Sequence, residues 1–342
     1  MNKQTRILTI DGGGIRGLIP ARILVSLERK LQQRTGRDDA RIAEFFDLVA
    51  GTSTGGLITC LLLMPGPVEW EPAFSAQQIV DLYLDYGPKI FNAPLLKRIT
   101  SLGGIRDERY DASGLENLID ERFGSLWLSQ LIKPCLITAY DVATRKTVFF
   151  TQHDARSTNK DFPIKVVARA TSAAPTYFEA MPNGNGHITN AYVDGGLFAN
   201  NPTMCAYVEA YRKLEGKPTA ANMVVLSLGT GQIKRPYSYQ TVRNWGMLEW
   251  AQPLIDIMMA GVSETIDHQM QQLFAAHGRR DSYLRLQPTI EDEDKELAEL
   301  DNVSPDNMER LLNLGIRLAD EYEAQLDAIV EQLLPVAEPV PA

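Results

Sequence analysis

Ser53 lies in a pattern that supports nucleophilic chemistry. Residues 51–56 read Gly-Thr-Ser-Thr-Gly-Gly, so that Gly51 and Gly55 flank the serine in a G-x-S-x-G arrangement. A short strand is predicted just before this segment and an apolar helix just after it. In that setting the pattern predicts a nucleophile elbow, a tight turn that holds a serine hydroxyl clear of the backbone. The alternative is an ordinary helix cap formed by the serine or a neighbouring threonine.

A second glycine motif follows the first predicted strand. Residues 11–17 read Asp-Gly-Gly-Gly-Ile-Arg-Gly, in which Gly12, Gly14 and Gly17 form a G-x-G-x-x-G pattern. Glycines bring backbone amides against an anion, and a following helix adds its N-terminal dipole. A Walker phosphate loop is excluded because leucine follows the last glycine where that motif requires lysine. Dinucleotide binding stays open, with two candidate ribose-binding acids further along: Asp38 and Asp39.

A third motif, Asp194-Gly195-Gly196, follows a short apolar segment. An aspartate before two glycines commonly forms just a turn. A nucleophilic serine needs a base, however, and a carboxylate within hydrogen-bond reach can serve. An α/β-hydrolase would instead place an acid and then a histidine after the serine. None of the four histidines has the sequence setting expected of a triad histidine: His153, His187, His268 and His277.

Taken in order, the three motifs resemble those of the patatin-like phospholipases. That family has a D-G-G-G-x-[RK]-G loop, a G-x-S-x-G elbow and a D-G-[GA] motif, and all three are intact in this sequence. The similarity covers the chain from about residue 6 to about residue 325. It includes four further stretches: residues 168–175, 226–231, 283–287 and 300–315.

The resemblance implies a catalytic dyad of Ser53 and Asp194 without a histidine. It also implies an oxyanion hole formed by the backbone amides of Gly13 and Gly14. Arg16 would either steady the glycine loop or contact a lipid phosphate, and a plain surface cation is the alternative. The remaining glycines of the three motifs would shape the site: Gly12, Gly17, Gly51, Gly55, Gly195 and Gly196.

The activity implied by the resemblance is that of a lipid acyl hydrolase, of the phospholipase A or lysophospholipase type, acting through an acyl-serine intermediate. It would be a carboxylic ester hydrolase with no metal and no cofactor. One alternative is a non-lipid ester hydrolase or acyltransferase with the same dyad. Another is a phospholipase effector activated by a small molecule or a partner, although no residue of the sequence indicates an activator.

The order of predicted elements favours an α/β fold with a largely parallel central sheet flanked by helices, and the resemblance makes it the three-layer patatin type. We expect one catalytic domain over residues 6–325 and a disordered tail over residues 335–342. Strands are predicted at residues 6–10, 46–50, 136–140, 147–151, 192–193, 223–228 and 283–286. Helices are predicted at residues 18–31, 57–64, 164–172, 204–214, 254–276 and 306–333.

The composition limits partners and location. The chain has 342 residues and a net charge of −9, which argues against nucleic acid as a partner. Its three cysteines, without metal-like spacing, suit buried thiols, and its N-terminus has no signal-peptide pattern, so a cytoplasmic location is expected. Apolar residues among cations at residues 88–110 favour either transient contact with a membrane surface or a helix packed on the core.

Overall fold

The computed structural model describes residues 4–68, 70–91, 109–183, 190–234, 236–291 and 293–334, except for the side chains of residues 248, 251, 252 and 255. Among these residues the main sheet has eight strands, in the order β5-β6-β3-β2-β1-β7-β9, with β4 paired to β3. A separate two-stranded sheet joins β8 and β10. The strands are β1 (Thr5–Ile10), β2 (Leu48–Thr52), β3 (Cys135–Asp141), β4 (Lys146–Thr151), β5 (Met181–Asn183), β6 (Asn190–Asp194), β7 (Met223–Leu228), β8 (Gln232–Lys234), β9 (Tyr283–Leu286) and β10 (Thr289–Glu291).

The centre of the sheet is parallel and its edge is antiparallel. Strand β1 pairs in parallel with β2 and β7, and the parallel pairing continues to β3 on one side and β9 on the other. Strands β4 and β6 both run antiparallel to β3. A strand covered on both faces reads as a continuous apolar run, and β7 (Met-Val-Val-Leu-Ser-Leu) is buried at every position.

Helices cover both faces of the sheet and complete three layers. The helices are α1 (Leu18–Thr35), α2 (Thr54–Leu62), α3 (Ala76–Ile90), α4 (Ser113–Phe123), α5 (Gln152–Ser157), α6 (Ile164–Thr171), α7 (Gly196–Ala199), α8 (Thr203–Lys213), α9 (Tyr239–Val242), α10 (Met247–Ala276), α11 (Lys295–Ala298), α12 (Pro305–Glu321) and α13 (Glu323–Leu333).

Two apolar cores lie on opposite faces of the sheet, because successive side chains of a strand point to opposite sides. In β1, Leu8 belongs to the larger core, with α1, α2 and α3. Its neighbour Ile7 belongs to the smaller core, with α8 and α10. The expected α/β architecture, a mostly parallel sheet between helical layers, is confirmed.

Several element boundaries differ from the prediction. Helix α2 begins directly after Ser53, three residues before the predicted start at residue 57. The helix predicted over residues 306–333 is two helices that meet at Tyr322, where no glycine or proline marks the break. Helix α10 begins at Met247, seven residues before the predicted start, and continues through Pro253.

Some predictions fall wholly or partly outside the described residues. The expected tail at residues 335–342 and His187 are among them. So is most of the predicted membrane-contact segment, whose described ends are residues 88–91 and 109–110. At those ends Phe91, Tyr110 and Phe178 form an aromatic cluster inside the protein, which favours the core-helix alternative there. Cys60 and Cys135 are buried, whereas Cys205 is only partly buried.

Candidate active site

Ser53 occupies a strained turn between β2 and α2. Its φ of 55° and ψ of −124° place it in a backbone region that residues other than glycine rarely adopt. The turn needs small neighbours, because a Cβ on Gly51 would lie 2.1 Å from the Gly55 carbonyl oxygen. A Cβ on Gly55 would lie 2.2 Å from the Ile10 carbonyl oxygen. Ser53 holds the N-cap position of α2 but makes no side-chain cap hydrogen bond, so the geometry is that of an elbow rather than of a simple cap.

Two side chains that lie outside the three motifs hold this turn in place. The Ser53 amide donates to Thr171 Oγ1 at 2.8 Å, at the end of α6. Behind the serine, the Thr54 hydroxyl contacts the Tyr83 hydroxyl, which also donates to the Thr54 carbonyl oxygen at 3.1 Å. Thr171 lies in the stretch 168–175 that already resembles the family, so the sequence contained a signal for it. No pattern in the sequence pointed to Tyr83.

Asp194 ends β6 and lies beside the serine. Its buried carboxylate accepts a hydrogen bond from the Gly196 amide at 2.7 Å to Oδ1, and it lines the same cavity as Ser53. Burial raises the pKa of Asp194 to about 6, although the nearby Ser53 hydroxyl and the Gly196 amide oppose the rise. The bond from Gly196 closes a local aspartate turn. The turn that the sequence suggested is therefore present, and the same carboxylate faces the cavity of the serine.

The glycine loop passes next to the serine. The amide of Gly12 donates to the Asn200 carbonyl oxygen at 3.1 Å, and that of Ile15 to the Leu300 carbonyl oxygen at 2.8 Å. Between them, the amides of Gly13 and Gly14 have no hydrogen-bond acceptor among the described residues, and both glycines line the cavity that contains Ser53.

Side chains would not fit in this loop. A Cβ on Gly13 would lie 2.3 Å from Thr230 Oγ1, and one on Gly14 would lie 2.1 Å from the Leu300 carbonyl oxygen. Gly14 also has a φ of +57°. Gly17 packs against Thr54 and Tyr83, so it joins the loop to the elbow.

A buried ion pair anchors the start of the glycine loop. The Arg285 guanidinium, on β9, donates to both carboxylate oxygens of Asp11, at 3.3 Å to Oδ1 and 2.6 Å to Oδ2. It also donates to the hydroxyls of Ser227 and Ser263. Burial lowers the pKa of Arg285, but the adjacent Asp11 carboxylate outweighs it and raises that pKa above its ordinary value. Spacing gives no sign of this pair, because 274 residues separate its members.

The cavity that contains Ser53 and Asp194 is mostly apolar, with a volume of about 170 Å³. It extends from the serine between α2, α3 and α4. Its apolar lining includes Leu57, Leu61, Leu82, Ile90, Leu115 and Phe123.

A larger cavity of about 700 Å³ lies next to the apolar one; its lining mixes apolar and charged side chains, and we call it the polar cavity. Asn200, Met259 and Leu300 line both. Arg16 is buried and lines the polar cavity rather than the apolar one, and its Nη1 donates to the Gly231 carbonyl oxygen at 3.5 Å. The surface-cation alternative for Arg16 is therefore wrong. Its Nε and the Asn200 Oδ1 have no hydrogen-bond partner among the described residues. Burial lowers the pKa of Arg16 to about 10, which leaves it charged near neutral pH.

None of the three described histidines lines the cavity of Ser53. His153 Nδ1 lies 3.9 Å from Glu209 Oε1, and His277 Nδ1 contacts the Leu273 carbonyl oxygen on the helix surface. His268 is exposed on α10. Within the described residues there is also no group of three or more side chains suited to hold a metal ion.

The chain is similar in sequence to known proteins of one family. Residues 8–207 match the family model described as patatin-like phospholipase. Patatin-like protein 2 of Oryza sativa subsp. indica is 33% identical, over 95% of this chain and 86% of its own length. Patatin-like protein 2 of Arabidopsis thaliana is 35% identical, over 94% and 84%. Patatin-04/09 of Solanum tuberosum is 32% identical, over 92% and 83%.

The chain therefore belongs to the patatin-like phospholipase family, whose general activity is the hydrolysis of lipid acyl esters. Among solved structures, VipD from Legionella pneumophila is similar over 91% of this chain and 67% of its own. The identity is 11% and the TM-score 0.33, a score too low to support an argument by itself. In the described residues no helix is long and apolar enough to cross a membrane.

Proposed function

We propose that this chain is a phospholipase A or lysophospholipase that cleaves fatty-acyl esters of membrane lipids through a dyad of Ser53 and Asp194. The observation that carries the proposal is that Ser53, in its strained turn, and the buried Asp194 carboxylate line the same mostly apolar cavity. A hydroxyl paired with a base supplies the nucleophile, and the apolar walls suit a fatty-acyl chain.

The reaction begins when Asp194 accepts the hydroxyl proton while Ser53 Oγ attacks the ester carbonyl carbon. Collapse of the tetrahedral intermediate breaks the ester bond, and Asp194 returns the proton to the departing alcohol. Water, deprotonated by the same carboxylate, then attacks the carbonyl carbon of the acyl-serine ester. The bond from that carbon to Ser53 Oγ breaks, Asp194 returns the proton to Oγ, and the fatty acid is released. The raised pKa of Asp194 supports this role, because a base titrating near 6 is largely ionised at pH 7 and still accepts a proton readily.

Negative charge on the carbonyl oxygen would be met by the amides of Gly13 and Gly14, which have no acceptor within the described part of the chain. One such donor typically contributes about 3 kcal/mol to transition-state stabilisation. The N-terminus of α2, which begins directly after Ser53, adds a favourable dipole at the same place.

The polar cavity suits the rest of the lipid. Because Asn200 and Leu300 line both cavities, an ester at Ser53 would place its alcohol portion close to the polar one. Arg16, charged and with an unpartnered Nε, would contact the phosphate there. A lysophospholipid or glycerophosphate fragment is the leaving group that this arrangement favours.

The proposed place of action is the cytoplasmic side of a membrane, with transient contact during catalysis. The chemistry requires no metal and no cofactor. A non-lipid ester would use the same dyad but would leave the apolar walls of the cavity unused. A small-molecule activator remains an alternative that no contact of the described residues specifies.

Replacing Ser53 with alanine tests the proposal. We expect Ser53→Ala to reduce phospholipid hydrolysis to the uncatalysed background without loss of folding, because only one hydroxyl is removed. The measurement is release of fatty acid from a fluorescent phospholipid, accompanied by labelling with a fluorophosphonate probe and peptide mapping.

Ser172 provides the matched control. It lines the same cavity and its hydroxyl is buried, but no described side chain pairs with that hydroxyl. Ser172→Ala should therefore still be labelled at Ser53. A label mapped to any other residue would contradict the assignment. Turnover of a soluble short-chain ester without turnover of phospholipid would favour the non-lipid alternative.

A further inference from the structure

A cluster of exposed apolar side chains lies at the start of α10 and just before it. We call it the helix patch. Met247 is 89% exposed, and the other members are between 43% and 74% exposed: Tyr239, Leu254, Ile257 and Met258. Met247, Leu254 and Met258 are separated by seven and four residues, which places them on one face of the helix. An exposed apolar face of this extent marks an interaction surface.

Aromatic side chains adjoin the helix patch. Tyr237 packs edge-on against Trp245, and Trp245 packs edge-on against Trp250, each pair with ring centroids 5.0 Å apart. Tyrosine and tryptophan are enriched where proteins meet the membrane–water interface, because each has an apolar ring and a polar atom. Exposed methionine, leucine and isoleucine beside such rings form the composition of an interfacial surface.

The charges around the helix patch indicate which kind of lipid surface it would bind. Residues 239–263, which contain the helix patch, include two acidic side chains, Glu249 and Asp256, and one basic side chain, Arg243. With a net charge of −9 on the whole chain, this slightly acidic surface gains little from anionic lipid. It suits a zwitterionic or neutral lipid surface, bound by burial of apolar area.

The helix patch is continuous with both cavities. Ile257 and Tyr237 line the polar cavity, and Leu197, itself exposed, lines the apolar one. Met259 lines both, and its methyl group lies 3.8 Å from a Cβ built on Gly196, beside Asp194. A lipid surface at this position would meet the openings of the cavities, so that an acyl chain could enter without crossing water. A second copy of the chain would cover the same openings.

We propose that the helix patch is the surface by which this protein docks on a zwitterionic lipid bilayer and presents its two cavities to the lipid. This inference rests on the proposed lipid activity and adds the surface, the kind of lipid and the mode of binding. It assigns membrane contact to α10, whereas the sequence suggested the segment 88–110.

The test is binding to phosphatidylcholine vesicles, measured by flotation in a Ser53→Ala background so that no lipid is consumed. Replacing Met247, Leu254 and Met258 together with glutamine should lower the partition coefficient about tenfold or more, because three apolar side chains no longer enter the lipid. Binding of the parent protein should change little with salt, since burial of apolar area is not screened. Anionic phosphatidylglycerol should not strengthen it.

The matched control replaces Val208 and Tyr211 with glutamine. These α8 side chains are 44% and 45% exposed but lie outside the helix patch, and vesicle binding should be unchanged. Melting curves check that both variants fold. Undiminished binding by the triple variant would overturn the proposal, and so would binding that depends on anionic lipid and is abolished by salt. A dimer of the parent that the triple variant converts to a monomer, with vesicle binding intact, would show self-association instead.

The same variants separate this proposal from the proposed activity. In the active background, the triple variant should lose hydrolysis of bilayer phospholipid but retain hydrolysis of a soluble short-chain ester. Vesicle binding without any hydrolysis of lipid would sink the proposed activity and leave the docking surface standing.

Discussion

The tripeptide Asp-Gly-Gly occurs twice at this site, and the two aspartates have different surroundings. Asp11 follows β1, and Asp194 ends β6. Both are buried, at 0% and 5% exposure. Asp11 forms a two-bond ion pair with Arg285, whereas among the described residues no cation pairs with Asp194, which accepts the Gly196 amide beside Ser53. The same tripeptide sequence therefore contains, at one position, a carboxylate paired with a cation and, at the other, a carboxylate without a described cation beside it.

The difference follows from the side chains that the surrounding strands bring to each aspartate. Strand β9 brings Arg285 to the glycine loop, and the pair fixes the end of β1 from which Gly12 and Gly13 extend. No described cation pairs with Asp194, so burial raises its pKa to about 6. Burial raises the pKa of Asp11 as well, but there the Arg285 guanidinium opposes the rise and holds the carboxylate in an ion pair, a partner that Asp194 lacks among the described residues. Asp11 is accordingly expected to matter for stability and Asp194 for turnover.

The largest effect is expected from Asp11→Asn. It removes the carboxylate that pairs directly with the buried Arg285 guanidinium, and breaking such a pair costs about 3 to 5 kcal/mol of unfolding free energy. Urea unfolding at neutral pH measures the loss. The double variant with Arg285→Met should recover a large part of it, because neither charge is then left unpaired. A single variant as stable as the parent would show that Arg285 is solvated in another way.

Asp194→Asn is expected to act on chemistry instead. Without the base, turnover should fall by about a hundredfold or more, with the fold retained. Replacing His153, His268 or His277 with glutamine serves as the control, and each should keep most of the activity because none lines the cavity of Ser53. Steady-state kinetics on a phospholipid substrate measures both. If one histidine variant were as inactive as Ser53→Ala, the site would be a triad.

The contrast between the aspartates also shows how much of the site can be predicted from the sequence alone. Local patterns predicted the elbow at Ser53, the glycine loop and the parallel strands around them, because these depend on near neighbours along the chain and on short continuous apolar runs. The order of the motifs, compared with a known family, paired Ser53 with Asp194. The same tripeptide at Asp11 suggested only an anion-binding loop or a nucleotide site, and Arg285 went unnoticed because it meets Asp11 only in the folded sheet.

Other misses have physical causes of the same kind. The break at Tyr322 was missed because the apolar periodicity continues through it without glycine or proline. The turn that follows Gly13 directs Arg16 into the polar cavity, which spacing alone does not reveal. Tyr83 comes from α3, an element that was not predicted. Contacts between distant elements, rather than the elements themselves, were what the sequence left undetermined.

The smallest expected effect completes the comparison, because Asp194→Asn should stabilise the protein where Asp11→Asn destabilises it. The folded-state pKa of Asp194, about 6, lies above its ordinary value of 3.8. The carboxyl therefore favours folding while protonated, and that contribution is lost as pH rises through 6. At about pH 7 the buried charge lowers the free energy of unfolding by about 2 to 3 kcal/mol, and asparagine removes this cost while keeping an acceptor for the Gly196 amide.

Urea unfolding should show a higher free energy of unfolding for Asp194→Asn than for the parent at about pH 7, and the difference should largely disappear near pH 4. An equal gain at both pH values would mean that the stabilisation does not come from the carboxylate charge, and that Asp194 is not the strained base its surroundings indicate.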